Sequence, residues 1–331
     1  MGVKLSILIP QYNEDETVIS PLLDSLLIQQ GVDLKEVEVI IVNDKSDVIL
    51  SDSFIDKYAN KFAKVEYIKS EKHIGVSAAR NMALDAASGD YVMFCDADDM
   101  FLNACGLYII FTEMEEGGFD SFMSCFTEET RHPETGERLY VNHDTDSTFV
   151  HGKVHRRKYL LDNDIRFNPN LTIHEDSYFN CLCQRLTEKV KYCPMSFYLW
   201  KWRDNSVCRH DEKYILKTYN NMLESNTALV NEFITRHKSQ EAAFFATSMI
   251  YDAYYTMNKK EWLDQANQSY RYNTEKRFKR YYEEFNILFR SIDEQTKQQI
   301  IVGIKNRFFG EGLFLESITF DDWIDNILKL K

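Results

Sequence analysis

The chain has 331 residues, 44% of them hydrophobic, which is enough to bury a full core and to build a larger domain beside a smaller one. The formal net charge of −13 argues against a broad positive surface for nucleic acid or anionic lipid. No stretch approaches the roughly 20 apolar residues of a transmembrane helix, and a strand rather than a signal peptide follows Lys4. We therefore expect a cytoplasmic protein, with peripheral attachment to a membrane left open. The seven cysteines, an odd number, predict reduced thiols.

Three apolar runs near the start of the chain are predicted strands, and each of them ends in polar side chains. Residues 5–10 form the first run and lead through a polar loop into a helical pattern at residues 22–27. Residues 37–42 form the second run, and residues 65–68 form the third, which leads into a helix that contains Arg80. Strands that alternate with helices predict right-handed crossovers and a parallel sheet, so the polar strand ends converge on one edge.

The apolar run at residues 91–95 ends abruptly in the carboxylates of Asp96, Asp98 and Asp99. A continuous run of this kind predicts a buried central strand, whose carboxyl end opens on the ligand crevice of an α/β sheet. Carboxylates this close repel one another, and Mg²⁺ or Mn²⁺ relieves the repulsion while keeping positions for substrate phosphates. The alternative is an acidic turn or a helix cap, where Asp is also common.

Four motifs in the first hundred residues resemble those of a known family. They are Pro-Gln-Tyr-Asn-Glu at 10–14, Asn-Asp-Lys-Ser-Asp at 43–47, Gly-Val-Ser-Ala-Ala-Arg-Asn at 75–81 and Asp-Ala-Asp-Asp at 96–99. In this order and spacing they resemble the nonprocessive, inverting family 2 glycosyltransferases with the GT-A fold. The motif His-Glu-Asp at 174–176 resembles the acidic pair that contains the family's catalytic base.

The resemblance covers roughly residues 1–210 and implies a Rossmann-like α/β fold of the GT-A type, a mostly parallel sheet flanked by helices. We expect a catalytic domain at 1–210, with the nucleotide sugar bound by residues 1–100 and the acceptor by residues 101–210. A C-terminal helical domain at 211–331 is expected to follow.

The resemblance also implies that the first strand ends bind a nucleotide-sugar donor whose base is uracil. Tyr12 would lie against the base, and Glu14 and Asp44 would accept hydrogen bonds from base or ribose, with loop capping as the alternative for each. Arg80 would pair with phosphate or hold the carboxylates in place, unless it is a surface arginine. The donor site as predicted further includes Pro10, Asp96, Ala97, Asp98, Arg203 and Ser206.

The family pattern assigns Asp96 to the nucleotide sugar and Asp98 to a divalent metal ion, Mn²⁺ or Mg²⁺. Asp96 is a further candidate metal ligand, and whether Asp99 also binds the metal is left open. His210 is the third candidate ligand, with a polar surface histidine as its alternative.

The segment at 198–206 lacks the Gln-x-x-Arg-Trp signature of polymerases. It resembles the aromatic, arginine and serine segment that closes over the diphosphate in nonprocessive members. Arg203 offers a planar fork for phosphate oxygens, and Ser206 offers a hydroxyl.

Asp176 is the predicted catalytic base, and Glu175 is its partner or alternative. Asp176 precedes Tyr178 and Phe179, which places it at the start of an apolar helix. The helix start would lower the pKa of this carboxyl and burial would raise it. An aspartate that only caps the helix is the alternative.

Residues 211–331 are predicted to be helical, because no proline follows Pro194 and no glycine lies between Gly152 and Gly303. The aromatic residues of this part are predicted core, with an oligomer interface or the stacking of an acceptor sugar as alternatives. They include Tyr281, Tyr282, Phe285, Phe289, Phe308 and Phe309. The basic stretch at 153–158 is expected to form a solvated turn before a helix at 159–161, with the binding of a small anionic acceptor as the alternative.

The sequence thus predicts a metal-dependent enzyme that moves a sugar from a nucleotide diphosphate to a hydroxyl of a cell-surface glycan, teichoic acid or other polysaccharide. Transfer to a modified nucleic acid base or a nucleotide is the alternative acceptor chemistry, and the acidic net charge speaks against it. A sugar nucleotidyltransferase would need a glycine-rich loop, and residues 10–14 contain no glycine. An inactive sugar-nucleotide-binding module would not need Asp96, Asp98 and Asp176.

Overall fold

The computed structural model describes residues 2–144, 146, 148–203, 214–310 and 318–331. The chain divides into two compact units, Met1–Ser206 and Val207–Lys331. Strands and helices make up the first unit, and the second unit is helical in its described part. Among the described helices, none has the length and apolar character that crossing a membrane requires.

Strands and helices alternate through the first unit. The strands are β1 (Leu5–Gln11), β2 (Val37–Asn43), β3 (Lys64–Lys69), β4 (Tyr91–Phe94), β5 (Met100–Phe101), β6 (Ser121–Arg131), β7 (Arg138–His143), β8 (Lys153–Arg156) and β9 (Val190–Trp200). The helices are α1 (Glu16–Leu27), α2 (Asp52–Ala59), α3 (Val76–Ala86), α4 (Gly106–Glu115), α5 (Arg157–Asp162) and α6 (Glu175–Arg185). The four predicted strands in the first hundred residues are confirmed, as is the helix after residue 156.

These nine strands form one sheet in the order β3-β2-β1-β4-β8-β6-β9-β5, and β7 pairs with β6 outside this path. β1 runs parallel to β2 and β4, and β2 runs parallel to β3. Beyond β4 the sheet is mixed, because β8 is antiparallel to both β4 and β6, whereas β6 and β9 are parallel. The predicted α/β fold is confirmed, with its parallel strands concentrated in the first half.

The middle of the sheet is buried because helices cover it. Ile7 of β1 and Val39 of β2 are fully buried and belong to one apolar core with Leu22 and Leu26 of α1. Continuous apolar strands of this kind are typical of a sheet covered on both faces. The Asp15 carboxylate accepts from the first amides of α1, which makes the chain turn from the loop after β1 into a helix.

The basic stretch predicted as a solvated turn is in fact mostly strand β8, so that prediction is wrong. Lys153 and His155 are each 1% exposed. The Lys153 ammonium donates to the carbonyl oxygens of Ser124 at 2.6 Å and of His151 at 3.1 Å. Burial lowers the pKa of Lys153 to about 8. The charge of Lys153 predicts an exposed side chain. In the structure the ammonium is buried, and two carbonyl oxygens accept its hydrogen bonds.

The second unit consists of long helices, as predicted. They are α7 (Tyr214–Thr235), α8 (Ser239–Met257), α9 (Lys260–Gln265), α10 (Gln268–Ser291), α11 (Glu294–Gly310) and α12 (Phe320–Leu328). The predicted aromatic core is confirmed for Tyr281, Tyr282, Phe285 and Phe289, which are all buried. The side chains of Phe308 and Phe309 lie outside the described part of the structure.

Candidate active site

The loop after β4 holds three carboxylates near the centre of the sheet. The order β3-β2-β1-β4 reverses between β1 and β4, so Asp96, Asp98 and Asp99 leave the sheet beside a topological switch point. Ligand crevices of open α/β sheets form at such points. Asp99 is fully buried, whereas Asp96 and Asp98 are partly exposed.

Arg80 is a buried cation that joins this loop to the start of α6. Its guanidinium donates to Asp96 Oδ1 at 2.9 Å, Glu175 Oε1 at 3.1 Å and Asp176 Oδ1 at 2.6 Å. The Arg80 side chain is 3% exposed, so it is not a surface arginine. Burial lowers the pKa of Arg80, but attraction to the three carboxylates outweighs this effect and raises the pKa above its ordinary value. Arg80 therefore holds the carboxylates in place.

Asp176 lies in the first turn of α6, as the sequence predicts. The preceding His174 has φ 65°, in the left-handed region that residues other than glycine rarely adopt. Arg80 holds one oxygen of Asp176, and the Val150 amide donates to the other at 3.4 Å. Burial raises the pKa of the Asp176 carboxyl well above its usual range, with Arg80 opposing and Glu175 adding to the rise. A raised pKa makes this carboxylate a stronger base.

Arg203 borders the acidic loop from the segment after β9. Its Nη1 donates to Glu14 Oε1 at 3.0 Å and to Asp98 Oδ2 at 3.1 Å. Burial and repulsion from Asp96 raise the pKa of Asp98, and Arg203 offsets part of that rise. The two ion pairs bring together three chain segments that follow strands β1, β4 and β9.

Asp99 anchors the end of β9 to the loop after β4. Its carboxylate accepts from the Tyr198 hydroxyl at 2.8 Å and from the Lys201 amide at 2.9 Å. The Tyr198 hydroxyl in turn accepts from the Asp96 amide at 3.1 Å. Burial and the neighbouring carboxylates raise the pKa of Asp99 well above its usual range. These bonds fix the point from which Arg203 reaches the loop.

One group of possible metal ligands occurs among the described residues, namely Asp96, Asp99 and His151. Their ligand atoms all lie within 4.8 Å of one another. His151 Nδ1 is 3.6 Å from Asp99 Oδ2 and has no hydrogen-bond partner in the described part of the chain. Burial lowers the pKa of His151 to about 4, so the ring is neutral at neutral pH, the state in which imidazole binds metals. Sequence reasoning missed His151, and the predicted ligand His210 lies outside the described residues.

Tyr12 and Asp44 lie at the ends of β1 and β2. Tyr12 is 49% exposed, and its ring packs on that of His73 with the centroids 4.6 Å apart. Asp44 accepts from the amides of Ile74 at 2.6 Å and Gly75 at 2.8 Å, and His73 Nδ1 lies 2.9 Å from its Oδ2. Asp44 thus caps the loop that leads into α3. Loop capping is the alternative to nucleotide binding that was given for this residue. An exposed aromatic ring beside a carboxylate also suits a nucleobase.

The remaining residues predicted for the donor site are placed as follows. Pro10 lies in β1 opposite Val42 of β2, and Ala97 is buried in the loop after β4. Ser206 lies outside the described residues, so its part in the site stays a prediction.

The sheet, the acidic loop near its centre and the carboxylates at the start of α6 agree with a protein of the glycosyltransferase class. The family model described as Glycosyl transferase family 2 matches residues 6–182, more than half of the chain. The chain therefore belongs to glycosyl transferase family 2.

Two curated relatives illustrate the similarity. EpsJ of Bacillus subtilis (strain 168), named an uncharacterized glycosyltransferase, is 28% identical over 221 residues, which are 61% of this chain and 62% of EpsJ. TarS of Staphylococcus aureus (strain Mu50), a poly(ribitol-phosphate) beta-N-acetylglucosaminyltransferase, is 32% identical over 187 residues, which are 54% of this chain and 32% of TarS. The chain thus spans less than two thirds of the length of these relatives.

Crystal structures of S. aureus TarS 1-349 have the same fold. The UDP complex gives a TM-score of 0.63 at 18% identity and covers 97% of this chain and 95% of that one. The UDP-GlcNAc complex gives 0.64 at 20% identity, with 85% and 81% covered. The predicted GT-A type of fold is confirmed by this likeness.

Proposed function

We propose that the protein transfers a sugar from a UDP-sugar to a hydroxyl group of an acceptor, with inversion at the anomeric carbon. The observation that carries the proposal is the contact of buried Arg80 with both Asp96 and Asp176, because it sets a donor-side carboxylate beside a candidate base. Membership in family 2 supports sugar transfer. The TarS structures with UDP and UDP-GlcNAc support a uridine donor.

The nucleotide is bound at the ends of β1 and β2. The exposed ring of Tyr12 stacks on the uracil, and base–aromatic stacking contributes about 1–3 kcal/mol. Asp44 and Glu14 accept hydrogen bonds from base or ribose, since each carboxylate has more lone pairs than the contacts described above occupy.

The diphosphate lies over the loop after β4, with Arg203 and Ser206 as its protein partners and Asp96 and Asp98 as ligands of Mn²⁺ or Mg²⁺. The residues fit a divalent ion, because Asp96 and Asp98 offer two partly exposed carboxylates from one short loop, and carboxylate oxygens are the ligands that these ions prefer. When bound, such an ion offsets the charge that develops on the departing diphosphate.

Asp176 is the general base. Its carboxylate takes the proton of the acceptor hydroxyl as that oxygen attacks the anomeric carbon, and the diphosphate leaves with the bonding electrons from the opposite face. Arg80 holds Asp176 Oδ1 and keeps the carboxylate oriented toward the donor side. One displacement of this kind inverts the anomeric configuration, and Glu175 is the alternative base.

The acceptor is a hydroxyl of a cell-surface polyol phosphate or polysaccharide. TarS, which is named a poly(ribitol-phosphate) beta-N-acetylglucosaminyltransferase, supports a polyol phosphate acceptor. An amylovoran biosynthesis glycosyltransferase of Erwinia amylovora, 38% identical over 98 residues, 29% of this chain and 31% of that protein, supports the second.

The test is a panel of UDP-, GDP- and dTDP-sugars incubated with the protein and Mn²⁺, with release of nucleotide diphosphate as the readout. UDP-sugars should be consumed, and excess EDTA or Asp98→Ala should abolish the reaction. Asp162→Ala, which removes an exposed carboxylate of α5, is the matched control and should leave the rate unchanged. Consumption of no nucleotide sugar, or full activity in EDTA, would contradict the proposal.

A further inference from the structure

His151 is held rigidly beside the acidic loop. Its ring stacks on those of Phe149, Tyr198 and Trp200, with centroids 5.4, 5.3 and 5.2 Å away. The planes of the histidine and Tyr198 rings differ by only 16°. Packing on several rings restricts rotation of the imidazole, so its Nδ1 stays directed at the Asp99 carboxylate.

The Nδ1 atom lacks a hydrogen bond in the part of the chain that the structure describes. Its distance of 3.6 Å from Asp99 Oδ2 is too long for one. The His151 side chain is 2% exposed, so bulk water does not satisfy the nitrogen. A buried polar atom without a partner is unfavourable, and binding of an ion is one of the ordinary ways in which such an atom is satisfied.

The two carboxylates beside this nitrogen are oriented by other groups. Tyr198 and the Lys201 amide hold Asp99, and Arg80 holds Oδ1 of Asp96. Outer hydrogen bonds that orient ligands in this way are typical of metal sites. Asp96 is partly exposed, so this side of the group opens to solvent.

We propose that Asp96, Asp99 and His151 form a transition-metal site that binds its ion without any nucleotide. One imidazole nitrogen and two carboxylates favour Mn²⁺, Co²⁺ or Zn²⁺ over Mg²⁺ and Ca²⁺, which prefer oxygen ligands alone. Asp98 is not a ligand here, because the group of atoms within 4.8 Å of one another does not include its carboxylate. The site is distinct from the nucleotide-dependent ion on Asp96 and Asp98, although Asp96 is common to both, and it does not depend on the proposed transfer reaction.

The test is Mn²⁺ binding to the full chain, free of any histidine tag and of nucleotide, followed by electron paramagnetic resonance. A titration gives the affinity, and pulsed measurements report nitrogen coupled to the bound ion. We expect ¹⁴N modulation from one imidazole, and protein labelled with ¹⁵N-histidine should shift that modulation to the ¹⁵N frequency. Mg²⁺ at the same concentration should not displace the Mn²⁺.

Variants then assign the nitrogen. His151→Phe should remove the modulation and weaken Mn²⁺ binding by at least about tenfold. His143→Gln is the matched control, since His143 stacks on Phe126 in the same aromatic region but lies outside the ligand group, and it should change neither quantity. Asp98→Asn should keep the modulation while abolishing metal-dependent nucleotide binding.

Two results would overturn the site. One is Mn²⁺ bound with no histidine nitrogen coupling in the labelled wild-type protein, a measurement that needs no variant to fold. The other is the absence of Mn²⁺ binding without nucleotide. Loss of sugar transfer with an intact nitrogen signal would contradict the proposed function and leave the metal site standing.

Discussion

Arg80 and Asp176 are joined by a 2.6 Å hydrogen bond between residues 96 positions apart in sequence. The same guanidinium reaches Asp96 at 2.9 Å. One buried cation therefore contacts both the candidate base and a donor-side carboxylate. Substituting Asp176 tests the transfer reaction, whereas substituting Arg80 tests the stability of the fold.

Asp176→Asn should abolish transfer while leaving the donor bound. The amide keeps the size and polarity of the side chain but not its basicity, so transfer should fall by about 10²- to 10⁴-fold, the range expected for a general base. UDP-sugar binding, measured by calorimetry, should change by only a few fold. Product NMR on the wild-type enzyme should show inversion. If Asp176→Asn transfers sugar at the wild-type rate, Asp176 is not the base and Glu175 takes its place. Glu175→Gln is the variant that tests this alternative.

Arg80→Gln should destabilise the first unit strongly, because it leaves three carboxylates close together without their cation. Loss of one partner from a buried ion group costs about 3–5 kcal/mol in the free energy of unfolding. Denaturant unfolding measures this change. Arg166→Gln is the matched control, since Arg166 pairs with the exposed Asp85 and its loss should cost under about 1 kcal/mol. Equal effects of the two substitutions would show that the Arg80 contacts add little.

Tyr12→Ala should weaken UDP binding by about 5- to 150-fold, the equivalent of about 1–3 kcal/mol of stacking. Tyr12→Phe keeps the ring and should bind UDP nearly as well as wild type. Tyr192→Ala removes another exposed tyrosine and serves as the control. Calorimetric titration in the presence of Mn²⁺ measures all three, and unchanged binding by Tyr12→Ala would remove this ring from the base site.

The free energy of unfolding should fall as the pH drops below about 6.5, partly because of His155. Burial lowers the pKa of His155 from 6.5 to about 3. Between these values the unfolded chain binds a proton that the folded chain does not, so stability present above pH 6.5 is lost by about 1.4 kcal/mol per pH unit on acidification.

His155→Gln should flatten the stability profile between pH 6 and pH 4.5 by most of that slope, as measured by denaturant titrations at several pH values. His237→Asn is the control, because His237 is exposed and Asn tolerates its positive φ of 58°. A His155→Gln profile as steep as wild type would assign the acid sensitivity to other buried groups.

The convergence of strand ends was predictable from sequence because apolar runs and the polar residues that follow them are local patterns. Asp98 and Glu14 meet through Arg203 as that reasoning leads one to expect. The burial of Arg80 was not predictable, since one arginine on a helix looks the same in sequence whether solvent or carboxylates surround it. His151 was missed for a related reason: its contacts with Asp99 and Tyr198 are 52 and 47 positions away in sequence.

Strand β6 supports several parts of the site at once. At its start it pairs with β8 on one side and β9 on the other, and β7 pairs with its far end. β8 begins just after His151, and β9 ends just before Arg203. Because both strands pair with β6, the positions of His151 and Arg203 both depend on β6. Its pairing with β9 shifts register on either side of Cys125. A substitution that makes this stretch of β6 regular would shift His151 and Arg203 together, and would therefore weaken both metal binding and diphosphate binding.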